Sequence, residues 1–127
     1  MTMRRTAFVL ALTASALLAA GCATDAGSEE MNADDIVGHS FMSGEEGEPF
    51  LEFVDDENYR GSDGCNNLTG TYRIDGDAIT LRPGLSTLRA CPGVDTWVRG
   101  AKSVSLDGNT LVVFDKSGSE IGTLARK

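Results

Sequence analysis

Short segments in which hydrophobic and polar residues alternate fill most of the chain after residue 38, and this period is typical of half-buried β-strands. The predicted strands are 39–43, 48–54, 58–62, 69–74, 78–82, 103–106, 110–114 and 120–125. Asp75-Gly76-Asp77 is a strong hairpin signal, since Asp and Gly tolerate positive φ, and Asp107-Gly108-Asn109 joins two later strands in the same way. Many short antiparallel strands predict a mainly β fold, either a small barrel-like sheet or a strongly curled one.

One segment has a helical period instead. Val94, Trp97, Val98 and Ala101 fall at i, i+3, i+4 and i+7, which places them on one face of a helix. Pro92 suits the start of such a helix, because its missing N–H is not needed there. The sequence therefore predicts one short helix that packs against the sheet through Trp97.

The first residues have the composition of an export signal. Arg4 and Arg5 precede an apolar run from Thr6 to Ala20, and small residues follow up to Cys22. Small residues that stop at a cysteine are the pattern of a bacterial lipoprotein signal, in which the Cys22 thiol is acylated and the peptide is cut just before it. The apolar run is shorter than the ~20 residues of a spanning helix. An uncleaved anchor and cleavage to a soluble protein are the alternatives.

Three segments follow from this interpretation. Residues 1–21 are predicted to be the signal peptide, residues 22–33 a lipidated flexible tether of small, polar and acidic residues, and residues 34–127 one folded domain. Two acyl chains on one residue give stable membrane attachment. The expected location is the cell envelope, on the extracytoplasmic face of a bacterial membrane.

The charge is strongly acidic and unevenly distributed. The formal net charge is −8, and residues 25–63 hold 13 acidic residues against one basic residue, Arg60. Nucleic-acid binding needs clustered Lys and Arg, and the absence of such a cluster excludes it. The acidic half would be repelled by an anionic lipid surface. It could steer a basic protein partner through Glu45, Glu46 and Glu48, or serve only as a solvated surface.

Two cysteines remain once Cys22 is lipidated. Exported compartments permit oxidation, so a Cys65–Cys91 disulfide is predicted. Such a bridge could contribute roughly 3–4 kcal/mol on the chain-entropy account, a large share of the stability of so small a domain. Two buried free thiols are the alternative.

The densest cluster of unusual residues lies in 59–72 and continues in 84–92. Its pattern resembles the META domain, the family of the HslJ-like heat-shock lipoproteins, over residues 36–126. The matching positions are Gly61, Gly64, Cys65, Asn66, Gly70, Tyr72, Thr87 and Cys91. The resemblance implies a small, mostly antiparallel barrel-like β-fold with one helix, and a loose association with stress response. It implies no defined chemistry.

The residues of this motif are interpreted as mainly structural. Its glycines permit positive φ or close backbone approach, as at a bulge or corner. Asn66 can adopt the left-handed conformation and bond neighbouring backbone groups. The alternative is a binding role for Asn66, Asn67 and Arg89 at the same corner.

No catalytic, metal-binding or cofactor-binding residues are predicted. His39 is the one histidine, and no G-x-S-x-G elbow is present. The absence of C-x-x-C disfavours thiol redox chemistry, and one histidine with two cysteines falls short of a four-ligand zinc site. The acidic turns 55–58 and 75–77 lack the spacing of an EF-hand.

Two functional hypotheses remain. The first is a non-enzymatic, membrane-anchored envelope lipoprotein, associated with stress, that acts through contacts with an envelope protein. The alternative is a lipoprotein whose β-barrel binds a small molecule in its mouth. A filled core would use most of the few aromatic residues, which favours the first hypothesis.

Overall fold

A computed structural model of the chain describes residues 31–127. The predicted signal peptide, the lipid attachment at Cys22 and the tether up to residue 30 lie outside the described residues. Within the described part, no helix combines the length and the apolar character that crossing a membrane requires.

Eight antiparallel strands form a closed barrel in which each strand pairs with the next along the chain. The strands are β1 (Ser40–Met42), β2 (Phe50–Phe53), β3 (Asn58–Ser62), β4 (Asn67–Asp75), β5 (Ala78–Ser86), β6 (Ser103–Asp107), β7 (Thr110–Phe114) and β8 (Glu120–Arg126). The barrel closes where Phe41 pairs with Arg126 and Met42 with Ala125. The mainly β prediction is confirmed, and closure selects the barrel over the open curled sheet.

The barrel interior is filled by the inward-facing residues of the alternating strands. In β7, for example, Leu111 and Val113 are buried while their neighbours are not. Phe53 contacts Phe41 and Tyr72 edge-to-face, with ring centroids 6.2 and 4.9 Å apart. The buried hydrophobic residues are Ile36, Phe41, Leu51, Phe53, Tyr59, Leu68, Tyr72, Ile79, Leu81, Val98, Ala101, Val104, Leu111, Val113 and Leu124.

Both predicted hairpins are confirmed as two-residue turns. Asp75 pairs with Ala78 across Gly76, which has φ +67°, and Asp107 pairs with Thr110 across Gly108, which has φ +61°. These turns lie at one end of the barrel together with Met31 and Lys127, since Met31 bonds Gly76 and Lys127 bonds Ser40. We call this end the terminal end. We call the opposite end, where Cys65 and Cys91 form a disulfide, the stapled end.

Strand β5 is longer than its sequence predicts, and its last part pairs on one side only. It continues to Ser86 beside β4, but it meets β6 only through Ala78, Ile79 and Thr80. Residues 82–86 are exposed, so they have no hydrophobic alternation that would have revealed the extension. The barrel wall therefore opens beyond Leu81, whose N–H still donates to the carbonyl of Lys102 at 2.9 Å, and residues 87–102 cross the stapled end before β6 begins.

The predicted helix around Trp97 is reduced to a single 3-10 turn, Trp97–Gly100. A second 3-10 turn, Ala33–Asp35, precedes β1. The helical period was misleading because each apolar residue contacts a different part of the barrel. Val94 lies against Gly64 and Trp97 lies on Gly122 of β8, whereas Val98 points into the barrel end.

Candidate functional site

The β3–β4 turn, Asp63 to Asn66, is joined to the segment Thr87 to Cys91, and we call this pair of segments the stapled corner. A disulfide links Cys65 and Cys91 with their Cα atoms 5.9 Å apart. The predicted bridge is thus present, and the alternative of two free thiols is not realised. It holds the crossing segment against the end of the barrel wall.

The side chain of Asn66 pairs with backbone groups in the crossing segment. Its Oδ1 accepts from the N–H of Arg89 and from the hydroxyl of Thr87, and its Nδ2 donates to the carbonyl of Arg89 at 3.2 Å. Only 1% of Asn66 is exposed. The side-chain amide thus uses its donor and its acceptor within the protein. Its bonds to backbone groups of Arg89 connect the two segments in the way that paired strands are connected.

The turn that carries Asn66 is stabilised by the buried carboxylate of Asp63. Its Oδ1 accepts the backbone N–H groups of Cys65 (2.9 Å) and Asn66. The left-handed conformation expected at Asn66 occurs instead at Gly64, whose φ is +93°. A Cβ on Gly47 would lie 2.8 Å from the Cα of Gly64, so the β1–β2 loop packs backbone to backbone on the turn.

Thr87 completes the corner. Its hydroxyl accepts the backbone N–H of Asn67 at 3.1 Å, and its own N–H donates to the carbonyl of Asn67. Arg89 contributes backbone groups to the corner, and its side chain is exposed. The binding role suggested for Asn66, Asn67 and Arg89 stays a prediction.

Two glycines of the motif, Gly61 and Gly70, lie outside the corner's hydrogen-bond network. Gly61 faces Leu51, and a Cβ there would overlap the carbonyl of Phe50. A Cβ on Gly70 would lie 2.6 Å from the ring of Tyr59, so this glycine lets the ring lie flat on β4. These two positions need close approach and not positive φ.

Tyr72 is separated from the corner by the length of the barrel. Its hydroxyl donates to the carbonyl of Asp55, in the β2–β3 turn at the terminal end. Burial, and then the negative charges of Asp55 and Asp56, raise the pKa of Tyr72. The pKa of Asp55 is lowered because its carboxylate accepts the backbone N–H of Glu57 and bonds from Asn58. Tyr72 therefore anchors a turn.

A cavity of about 190 Å³ lies where β5 separates from β6. Sequence reasoning missed it, although two signals were present: the Pro83-Gly84 pair and the long connection that follows β5. Apolar residues form its inner wall, and the polar groups of Thr69, Ser86, Arg99 and Lys102 are at its mouth. The inner wall consists of Leu51, Tyr59, Leu68, Leu81, Val98 and Ala101.

Tyr59 is the one polar group on the inner wall. Its side chain is 5% exposed, and its hydroxyl makes no hydrogen bond to any residue in 31–127. Burial raises the pKa of Tyr59 to about 12. In residues 31–127, the fully buried side-chain N or O atom without a partner is Arg126 Nε, so the Tyr59 hydroxyl keeps some contact with solvent. It is therefore free to bond a molecule in the cavity that Tyr59 lines.

Two large apolar side chains project into solvent here, one from the end of β5 and one from the corner itself. Leu85 is 89% exposed and Leu88 is 82% exposed. Both belong to the stretch held by Thr87 and the disulfide, so their backbone is fixed although their side chains are free.

The acidic β1–β2 loop lies at the same end of the barrel. Glu45 is not a free surface charge, because its carboxylate accepts the indole N–H of Trp97 at 2.6 Å. Glu46 and Glu48 are exposed, and Glu48 has φ +48°. Only these two of the three glutamates are available to a partner without cost to the fold.

No group of three or more His, Cys, Asp or Glu side chains in residues 31–127 is placed to hold a metal ion. His39, the one histidine, is half-buried beside β1 and bonds through its backbone to Ile36 and Phe53.

Comparison with known proteins gives one finding. A family model described as META domain matches residues 26–127. No curated protein and no solved structure matches the chain.

Proposed function

Because this chain belongs to the META domain family, we propose that it is an HslJ-like envelope lipoprotein that acts through protein contacts. In this proposal Cys22 carries the lipid, the domain has no enzymatic activity, and its role is linked to stress. The lipoprotein signal in residues 4–22 supports the anchor.

The observation that carries the proposal is the exposure of Leu85 and Leu88 on a fixed backbone. Single exposed apolar residues are common, whereas a contiguous exposed apolar patch marks an interaction site, and Leu85 and Leu88 lie only three residues apart on one segment. Because the disulfide and Asn66 hold this stretch, little conformational entropy is lost when a partner covers it. Arg89 follows Leu88 directly, so a partner surface with an apolar patch and flanking carboxylates would be complementary.

The position of the surface also supports docking. The chain enters the barrel at the terminal end, where Met31 bonds Gly76, and the two leucines lie toward the opposite end. A tether on the N-terminal side would therefore leave the leucines directed away from the bilayer.

Site-specific photo-crosslinking in the native envelope tests this proposal. A photoreactive residue at position 88 should give one discrete protein adduct, and the same residue at position 109, in the β6–β7 turn, should give none. Leu85→Ser should reduce the adduct about tenfold while changing the free energy of unfolding by less than about 0.5 kcal/mol, since the side chain is exposed. Cys22→Ser should move the chain out of the membrane fraction.

Three results would argue against the proposal. These are equal adducts from positions 88 and 109, no adduct from position 88, and an adduct that survives Leu85→Ser but disappears in Glu46→Lys with Glu48→Lys. The last result would transfer the contact to the acidic loop and a basic partner. Small-molecule binding, the alternative function, is favoured by a different observation, the cavity beside Tyr59.

A further inference from the structure

The cavity exists because of how the strands pair. β5 leaves β6 after Thr80 and follows β4 as far as Ser86, and the segment Trp97–Lys102 covers the gap without pairing as a strand. At the inner end of the gap the N–H of Leu81 donates to the carbonyl of Lys102 at 2.9 Å. Farther along β5 the two sides are joined by a side-chain contact, Arg99 Nη2 to Ser86 Oγ at 3.4 Å. The opening is thus bordered by exposed side chains, which can move more easily than a strand.

The size of the cavity sets the size of an occupant. An apolar cavity of roughly 150 Å³ accommodates one benzene molecule, and this one measures about 190 Å³. One aromatic ring with small substituents fits this volume, whereas a long acyl chain exceeds it. The apolar wall, which includes Leu51, Leu68 and Val98, favours such a ring.

Two polar features define the ends of the occupant. On the wall of the cavity, the Tyr59 hydroxyl has no partner among the described residues and can bond a hydroxyl or carbonyl. At the mouth are Arg99 and Lys102, and no carboxylate in residues 31–127 lies within ion-pair distance of either.

The charge around the mouth is opposite to that of the whole protein. Both charged side chains that line the cavity are cationic, Arg99 and Lys102, in a chain of net charge −8. An anion is therefore attracted to the pair of cations at this mouth.

We propose that this cavity is a binding site for a small aromatic carboxylate that carries a hydroxyl or carbonyl at the end opposite its carboxylate. The carboxylate pairs with Arg99 and Lys102, the ring contacts the apolar wall, and the far polar group bonds Tyr59. A peptide strand added to the free edge of β5 fits less well, because Pro83 removes a backbone donor from that edge. The inference is independent of docking through Leu85 and Leu88, which do not line the cavity.

Calorimetric titration of the full chain in lipid nanodiscs, with empty nanodiscs subtracted, tests the proposal. The probes are 4-hydroxybenzoate, benzoate, which lacks the far hydroxyl, and phenol, which lacks the carboxylate. We expect benzoate to bind about fivefold more weakly than 4-hydroxybenzoate, and phenol about tenfold or more, as typical neutral and charge-assisted hydrogen bonds imply.

Variants assign each difference to a residue. Tyr59→Phe keeps the ring and should abolish the preference for 4-hydroxybenzoate over benzoate. Arg99→Gln with Lys102→Gln should abolish the preference over phenol. The control pair Lys116→Gln and Lys127→Gln removes equal charge away from the cavity and should change neither preference. Leu85→Ser should bind the probes as the parent chain does, which separates this test from the docking test.

The proposal is overturned if none of the three probes binds. It is also overturned if 4-hydroxybenzoate and phenol bind equally well, or if the Lys116 and Lys127 control pair loses as much affinity as the pair at the mouth. Retention of the benzoate difference in Tyr59→Phe would remove Tyr59 from the site and with it the orientation proposed.

Discussion

Asn66 is the residue on which the stapled corner depends most. Its amide bonds Thr87 and both backbone groups of Arg89, 23 residues away. Without the side chain, two backbone groups of the crossing segment would lose their partner in a partly buried place, and unsatisfied groups there are costly. The disulfide beside it fixes the distance between the segments, whereas Asn66 fixes their register.

We therefore expect Asn66→Ala to lower the free energy of unfolding by about 2–3 kcal/mol. Asn67→Ala is the matched control, because Asn67 is exposed and uses only its backbone in the corner, and it should cost less than about 0.5 kcal/mol. Urea unfolding followed by Trp97 fluorescence measures both. Equal losses in the two variants would show that the side-chain amide of Asn66 is dispensable.

The sequence predicted a structural asparagine at this position but not its partner. Composition and spacing indicate that Asn66 can bond neighbouring backbone groups, but within its own turn the Asn66 amide donates to the carboxylate of Asp63 at 3.5 Å. Its bonds to Arg89 depend on tertiary placement of a segment distant in sequence. The same applies to Tyr59, since nothing in β3 indicates that this residue lines a cavity formed by β5 and the Trp97 segment.

Among the elements, the Trp97–Gly100 turn shows how a period can mislead. The ring of Trp97 lies directly on the backbone of β8, where a Cβ on Gly122 would be 2.6 Å from it. Its indole N–H bonds Glu45 of the β1–β2 loop. The turn therefore joins β8 to that loop by the contacts of one side chain, and it needs no helix to do so.

Gly122→Ala should displace Trp97 and lower the free energy of unfolding by about 1–3 kcal/mol, the usual range for overpacking. Gly100→Ala is the control, because its Cβ would meet Ile121 at an ordinary 3.5 Å, and it should be neutral or slightly stabilising. The measurement is urea unfolding with the emission maximum of Trp97, the single tryptophan. An unchanged emission maximum in Gly122→Ala would contradict the contact.

Strands were predictable to the extent that one of their faces is buried. β3 and β7 match their predicted bounds, since their side chains alternate between core and solvent. The prediction missed the end of β5 because residues 82–86 have neither face in the core. The extension is stabilised by pairing with β4, and backbone pairing is not visible in a pattern of side chains.

At the scale of the whole molecule, the barrel has a small hydrophobic core, and a disulfide cross-links its chain at the stapled end. Cys65 and Cys91 are 26 positions apart, and the loop between them contains β4, β5 and the first residues of the crossing segment. Cross-linking removes loop-closure entropy from the unfolded chain, an effect that grows slowly with loop length.

Cys65→Ser with Cys91→Ser should therefore lower the free energy of unfolding by about 3 kcal/mol. Because the hydrogen bonds of Asn66 and Asp63 remain, the far-ultraviolet circular dichroism of the folded variant should match that of the parent. Urea unfolding of both proteins measures the difference. A loss below about 1 kcal/mol would mean that the unfolded chain is already compact around this loop.

The sequence left two architectures open, a closed barrel and a strongly curled open sheet. The strand count and turns were readable, but the pairing of β1 with β8 joins the two ends of the folded part through only two residue pairs. Arg126 supports this closure by bonding the carbonyl of Asp35 and lying 5.5 Å from the ring centroid of Phe41. Such contacts follow from the fold and are not visible before it.

The shared location of Met31 and Lys127 at the terminal end has a practical consequence for anyone who labels this protein. An even number of strands in up-and-down order returns the chain to the end from which it started. A fluorescent protein or affinity tag joined after Lys127 would therefore be on the side of the barrel where Met31 lies, a barrel length from the disulfide and the two exposed leucines. A reporter inserted in the Gly76-Asp77 turn would occupy the same side, so several independent fusions would leave the opposite side unobstructed.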